Sequence, residues 1–247
     1  MKSELNFKVI HEDGRTFDMH ECGLWVESFH IYSPNAKRTT SENLNSDGER
    51  VRKSKQGTRP VYTSYQIESD SLYDFDELKH LIFSIFYTNQ AFEIIRDYRP
   101  DRRIFAMQEG EFDINNITPV DGEFDLMLRM YDPNIYGETN EMNLTTAFSS
   151  YEIKGQKKTQ WSSRTVFSAA ASQFVLENNT GGRILLKYNF IAGDVLEIDY
   201  KRRKITRNGE DLAVALSMSS NWFELQPGNV QLKASQATTL TYTERYY

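Results

Sequence analysis

The sequence predicts a mainly β protein of two domains: an N-terminal β-sandwich-like domain with one α-helix, and a C-terminal jelly-roll-like β-sandwich. Three observations point there. Aromatic residues make up 13% of the 247 positions, and the supply of Phe, Tyr, Thr, Val and Ile suits half-buried strands better than helices. Turn signals punctuate the second half at sandwich spacing, and only one segment carries a helical period. The length fits two domains, each large enough to close its own core.

The chain opens with Phe7 to His11, a Glu12-Asp13-Gly14-Arg15 turn and Thr16-Phe17, which together predict a hairpin. Gly23-Leu24-Trp25-Val26 enters a second strand that runs to about Tyr32, where Ser33-Pro34 interrupts it. From 33 to 60 the chain is polar and locally basic, with Ala36, Leu44 and Val51 as its apolar side chains. Two readings compete for this stretch. It is a solvated flexible loop, or an arm that orders against a neighbouring subunit because it cannot bury enough apolar surface alone.

The strand pattern returns over Val61–Ser69. Asp74-Phe75-Asp76-Glu77 then offers a capping box with Asp74 as N-cap, so a helix is predicted over about 75–88. Leu78, Leu81, Ile82, Ile85 and Phe86 form its apolar stripe. Strands follow around Ala91–Ile95, Arg103–Glu109 and Gly122–Tyr131, the last alternating Phe124, Leu126 and Leu128 against Asp125, Met127 and Arg129. Asp132-Pro133 ends that run. Tyr136 to Asn140 has linker composition, which puts the domain boundary near 137, with domains of 1–137 and 138–247.

In the second half, Asn179-Thr180-Gly181-Gly182, Ala192-Gly193-Asp194, Asn208-Gly209 and Pro227-Gly228 mark turns. Val195–Tyr200 places Leu196, Ile198 and Tyr200 on one face. Lys201-Arg202-Arg203 turns the chain back, and Asn208-Gly209 forms the next tight turn.

The chemistry the sequence offers is sparse. A net charge of -6 argues against tight nucleic-acid binding, which needs a strongly basic face, but suits a conduit that DNA slides through. A single cysteine, Cys22, excludes an intrachain disulfide and is expected as a small buried apolar group. No run approaches the roughly 20 apolar residues of a membrane span, so a soluble protein assembled in the cytoplasm is expected. His11, His20, His30 and His80 lack metal-ligand spacing, and no nucleophile elbow, dinucleotide loop or phosphate loop is present, so no cofactor, metal or catalytic residue is assigned. Carboxylate pairs such as Glu109/Glu111 and Glu123/Asp125 are the best glycosidase candidates, and their spacing fits the solvent side of an antiparallel sheet better. Trp161, Trp222 and the tyrosines keep a carbohydrate-binding module as the alternative reading, against core or subunit-contact packing.

Gly193-Asp194-Val195-Leu196-Glu197-Ile198-Asp199, then Ile205-Thr206-Arg207-Asn208-Gly209-Glu210-Asp211, then Ser220-Asn221-Trp222-Phe223-Glu224-Leu225-Gln226-Pro227-Gly228 resembles the C-terminal signature of siphophage distal tail proteins (Dit), from phages of Gram-positive bacteria. Gly23-Leu24-Trp25-Val26, the single helix and Tyr131-Asp132-Pro133 with Ile135-Tyr136-Gly137 resemble the family's N-terminal ring domain. The resemblance implies a non-enzymatic virion component of the tail tip. It implies a homo-hexameric ring around a DNA channel that joins the tail tube protein to the tail-associated or tail fibre protein, with a galectin-like C-terminal sandwich outside. In many phages such outer domains carry receptor-binding proteins. The sugar-gripping His-Asn-x-Arg and Trp-Gly-x-Glu motifs of true galectins are missing here. A ring needs a head-to-tail interface, and the basic stretch is a plausible strap, so Arg50, Arg52, Lys53 and Lys55 are expected at subunit or tube contacts.

Overall fold

The computed structural model describes residues 2–43 and 46–247, which divide into two compact units, Met1–Ile135 and Tyr136–Tyr247. In the first, the strands are β1 (Phe7–Ile10), β2 (Thr16–Asp18), β3 (Leu24–Ile31), β4 (Ala36–Asn43), β5 (Ser46–Gln56) and β6 (Arg59–Glu68). The helix α1 (Leu72–Phe86) follows, then β7 (Phe92–Arg96), β8 (Arg99–Gln108), β9 (Asn115–Asn116) and β10 (Asp121–Met130).

β1, β2, β7 and β8 form one antiparallel layer, and β10, β6 and β3 another. Alternation decides the faces. In β10, Phe124, Leu126 and Leu128 are buried while Glu123, Asp125 and Met127 are exposed. The layers meet through aromatics: Phe7 packs edge-on to Phe29 at 5.0 Å, and Tyr65 stacks on Phe124 at 4.4 Å. The N-terminal segment is tied in by charge. Lys2 Nζ lies 3.0 Å from Asp18 and 2.7 Å from Asp97, and Asn6 Nδ2 donates to both carboxylates. Ser3 Oγ donates to the carbonyl of Val26.

The helix begins one turn earlier than the Asp74 capping box predicts. Ser71 is the N-cap; its Oγ accepts from the Asp74 amide and donates to the Asp74 carboxylate, so the reciprocal pair is Ser71 and Asp74. Starting earlier turns Phe75 into the core with Ile82, Ile85 and Phe86, and leaves Leu78 and Leu81 only half-buried. Cys22 is half-buried, a correction to its expected core role; burial, with the charges of Asp18 and Glu21, pushes its thiol pKa up.

The second unit takes up β11 (Ile135–Leu144) from Tyr136 on and holds β12 (Ser149–Ile153), β13 (Trp161–Val166), β14 (Ala171–Asn178), β15 (Arg183–Phe190), β16 (Val195–Asp199), β17 (Lys204–Arg207) and β18 (Glu210–Asp211). After a 3-10 turn at Ala213–Ala215 come β19 (Gly228–Ala234) and β20 (Thr238–Tyr246). The residues from Tyr136 to Asn140, linker-like in composition, are part of strand β11. Two sheets, β18-β17-β16-β13-β20-β11 and β12-β19-β14-β15, enclose one core. Trp161, Leu196, Ile198 and Leu240 face Phe174, Leu176, Ile184 and Leu232 across it, as a sandwich requires. Asn208 and Gly209, at φ of 52° and 85°, make the two-residue turn between β17 and β18, the left-handed geometry for which Asn-Gly is suited. At Gly182 a Cβ would stand 2.4 Å from the Phe223 ring, so only glycine fits.

Candidate functional site

The polar stretch expected as loop or arm is a β-hairpin. β4 and β5 pair with each other as a separate two-stranded sheet, from Ala36 opposite Gln56 outward. It grows out of the β3–β6 ladder: Tyr32 donates to Pro60, Asn35 to Thr58, and Gly57 to Asn35, carrying the pairing past Pro34, which cannot donate. Strand pairing, which sequence reasoning missed here, supplies the order that apolar residues do not. Leu44 lies outside the described residues, and Val51 is 53% exposed.

Arg50, Arg52, Lys53 and Lys55 are all in β5 and all exposed. Arg52 Nε donates to Ser41 Oγ across the strands at 2.8 Å. Lys55 stands directly opposite Lys37, and Glu49 opposite Glu42. Like charges facing each other across a ladder destabilise it, so this ribbon is electrostatically strained as well as coreless. Among the described residues, none of Lys37, Arg38, Lys53 and Lys55 has a carboxylate within ion-pairing distance.

The other candidate sites come apart. Glu109 ion-pairs with Arg129 beyond the end of β8, and Gly110, at φ 74°, turns the chain so that Glu111 is not on a strand with it. Glu123 and Asp125 share the exposed face of β10, where Asp125 accepts a hydrogen bond from Tyr62. His11 donates through Nε2 to the Ile85 carbonyl at 2.8 Å. Among the described residues no three His, Cys, Asp or Glu side chains converge to hold a metal, and no helix is long and apolar enough to cross a membrane. Trp161 is a core residue, 3% exposed, donating through Nε1 to the Phe223 carbonyl. Trp222 has two close partners: Trp161 stacks on it at 6.4 Å, and the Arg203 guanidinium lies 4.5 Å from its ring centre. Both indoles are thus engaged in packing within the chain.

One exposed surface had no counterpart in the sequence reading. Phe83 and Tyr87, left out of the apolar stripe, are 41% and 79% exposed at the carboxyl end of α1. Aromatics on the outer face of an amphipathic helix were the signal that marked it.

Comparison with known proteins accounts for both units. Residues 23–130 match the phage tail protein RIFT-related domain, and residues 154–246 match the siphovirus-type tail component C-terminal domain. The chain is 35% identical over 120 residues to the distal tail protein of Bacillus phage SPP1, a match that spans 47% of each chain, so about half the length of that curated relative. In fold, it superposes on the crystal structure of SPP1 Dit with a TM-score of 0.85 at 19% identity, covering 98% of this chain and 99% of that one. A chain of the phage P2 baseplate in its activated conformation matches at 0.50 and 6% identity, over 97% of both chains. The two domain matches, the shared sequence and the common fold together make the chain similar to siphophage distal tail proteins.

Proposed function

We propose that this chain is the structural hub subunit of a phage tail tip, non-enzymatic, working in the virion after assembly in the host cytoplasm. The observation that carries the reading is the shared sequence with the SPP1 distal tail protein. The solved SPP1 protein is described as a paradigm of hub adsorption apparatus in phages infecting Gram-positive bacteria. In this role six copies form a ring around the DNA channel, between the tail tube protein and the tail-associated or tail fibre protein. The first domain, to about residue 137, builds the ring. The sandwich after it projects outward and binds protein, including a receptor-binding protein, in preference to sugar.

The geometry supports a strap. A hairpin with no core, facing like charges and unpaired cations gains order and charge compensation when it lies on another subunit. Arg50, Arg52, Lys53 and Lys55 are its contact residues, toward a neighbouring subunit or the tube. Deleting residues 37–57 is expected to reduce the oligomer to a monomer by light scattering while leaving the far-UV spectrum β-rich. An unchanged oligomer rules out the strap. Negative-stain electron microscopy of the intact protein is expected to show six-fold rings with a central hole; a monomer that binds an array glycan favours the carbohydrate-binding module instead.

A further inference from the structure

We propose that the depression at the carboxyl end of α1 receives the basic hairpin β4–β5 of a second copy of this chain. The proposal rests on the ring reading above and names the receiving surface. Two adjoining hollows, of about 470 and 400 Å³, share Ser84 and Tyr87. Phe83, Tyr87, Phe92 and Phe112 give them aromatic walls.

The rim is negative. Glu12 lines one hollow and Glu111 the other, both exposed, and neither ion-pairs among the described residues. Asp13 is engaged by Arg15 at 2.7 Å, so that cation is already spent locally. The last turn of α1 has no basic residue, leaving the negative end of the helix dipole uncompensated. Negative potential over aromatic faces is the environment in which Lys and Arg side chains are held, by charge and by cation–π contact together.

The hairpin supplies the complement. Lys53 and Lys55 lack carboxylate partners among the described residues, and Val51 offers the exposed apolar side chain that an aromatic hollow can cover. Both surfaces belong to the same domain, and a head-to-tail interface is one that joins two different patches of successive subunits.

Charge reversal tests it on the full chain. The double variant Glu12→Lys with Glu111→Lys, and separately Lys53→Glu with Lys55→Glu, are each expected to weaken self-association about tenfold or more by sedimentation. Combining all four restores it, which lost folding does not do, and an unchanged denaturation midpoint of each variant checks the fold independently. If the Glu12/Glu111 variant assembles like the parent while deletion of 37–57 abolishes assembly, this contact is wrong and the hub reading stands. If the parent chain stays monomeric at every concentration, or the four-fold variant fails to recover, the proposal is overturned.

Discussion

β3–β6 and β4–β5 are the near and far halves of one antiparallel ribbon, in register across the join, yet they are held by different forces. In the near half Val26, Phe29, Val61 and Tyr65 are buried against β1, α1 and β10. In the far half no large side chain is buried among the described residues, and the cross-strand pairs include Lys against Lys and Glu against Glu. The backbone bonds are alike. A hydrogen bond contributes only about 1 kcal/mol net once water is counted, so a coreless two-stranded ribbon is marginal, while the near half draws on burial. The same secondary structure therefore serves as scaffold at one end and as a surface awaiting a partner at the other.

The largest expected effect lies in the near half. Phe29→Ala removes a ring that packs against Phe7 and lies under the Arg96 guanidinium, and is expected to cost about 3–5 kcal/mol in urea unfolding. A cost below about 1 kcal/mol means the near half is not core-anchored.

Acid provides an intermediate test. Burial pushes the Asp18 pKa up, but hydrogen bonds from Lys2 and Asn6 outweigh it, so the folded value is depressed. A carboxylate depressed in the folded state stabilises above its unfolded pKa, and that contribution is lost as pH falls through the folded value. The denaturation midpoint of the parent is therefore expected to drop below about pH 4, and Lys2→Ala is expected to flatten that drop. A midpoint with the same acid dependence in Lys2→Ala shows that the clamp contributes nothing.

The smallest effect is in the far half. Lys53→Ala and Lys55→Ala should leave the unfolding free energy within about 0.5 kcal/mol of the parent. A larger loss means the hairpin stabilises its own chain, and erases the contrast.

How much of this was legible follows the same division. Where one face is buried, as in β10 or Val195–Tyr200, the period-two pattern named the inward residues directly. Asn208-Gly209 announced its turn because the local chemistry demands it. The hairpin at 36–56 was invisible as structure because its order comes from ladder continuity with β3 and β6, a long-range effect that leaves no hydrophobic period. The helix start was misplaced because both Ser71-x-x-Asp74 and Asp74-x-x-Glu77 are capping signals, and Phe75 tips the choice by going inward. The likeness to phage tail proteins was legible in the Gly193–Gly228 series; the exposed Phe83 and Tyr87 were not, since a helix stripe says which residues bury and not what the opposite face meets.

The stacking of Trp161 on Trp222 has an optical consequence. These two tryptophans are both in the second unit, with Trp222 beneath a guanidinium, whereas Trp25, the remaining one, is 39% exposed in the first. Coupled indoles give a paired near-ultraviolet signal that a lone, half-solvated indole does not, so the protein carries a separate chromophore for each unit without any label being added.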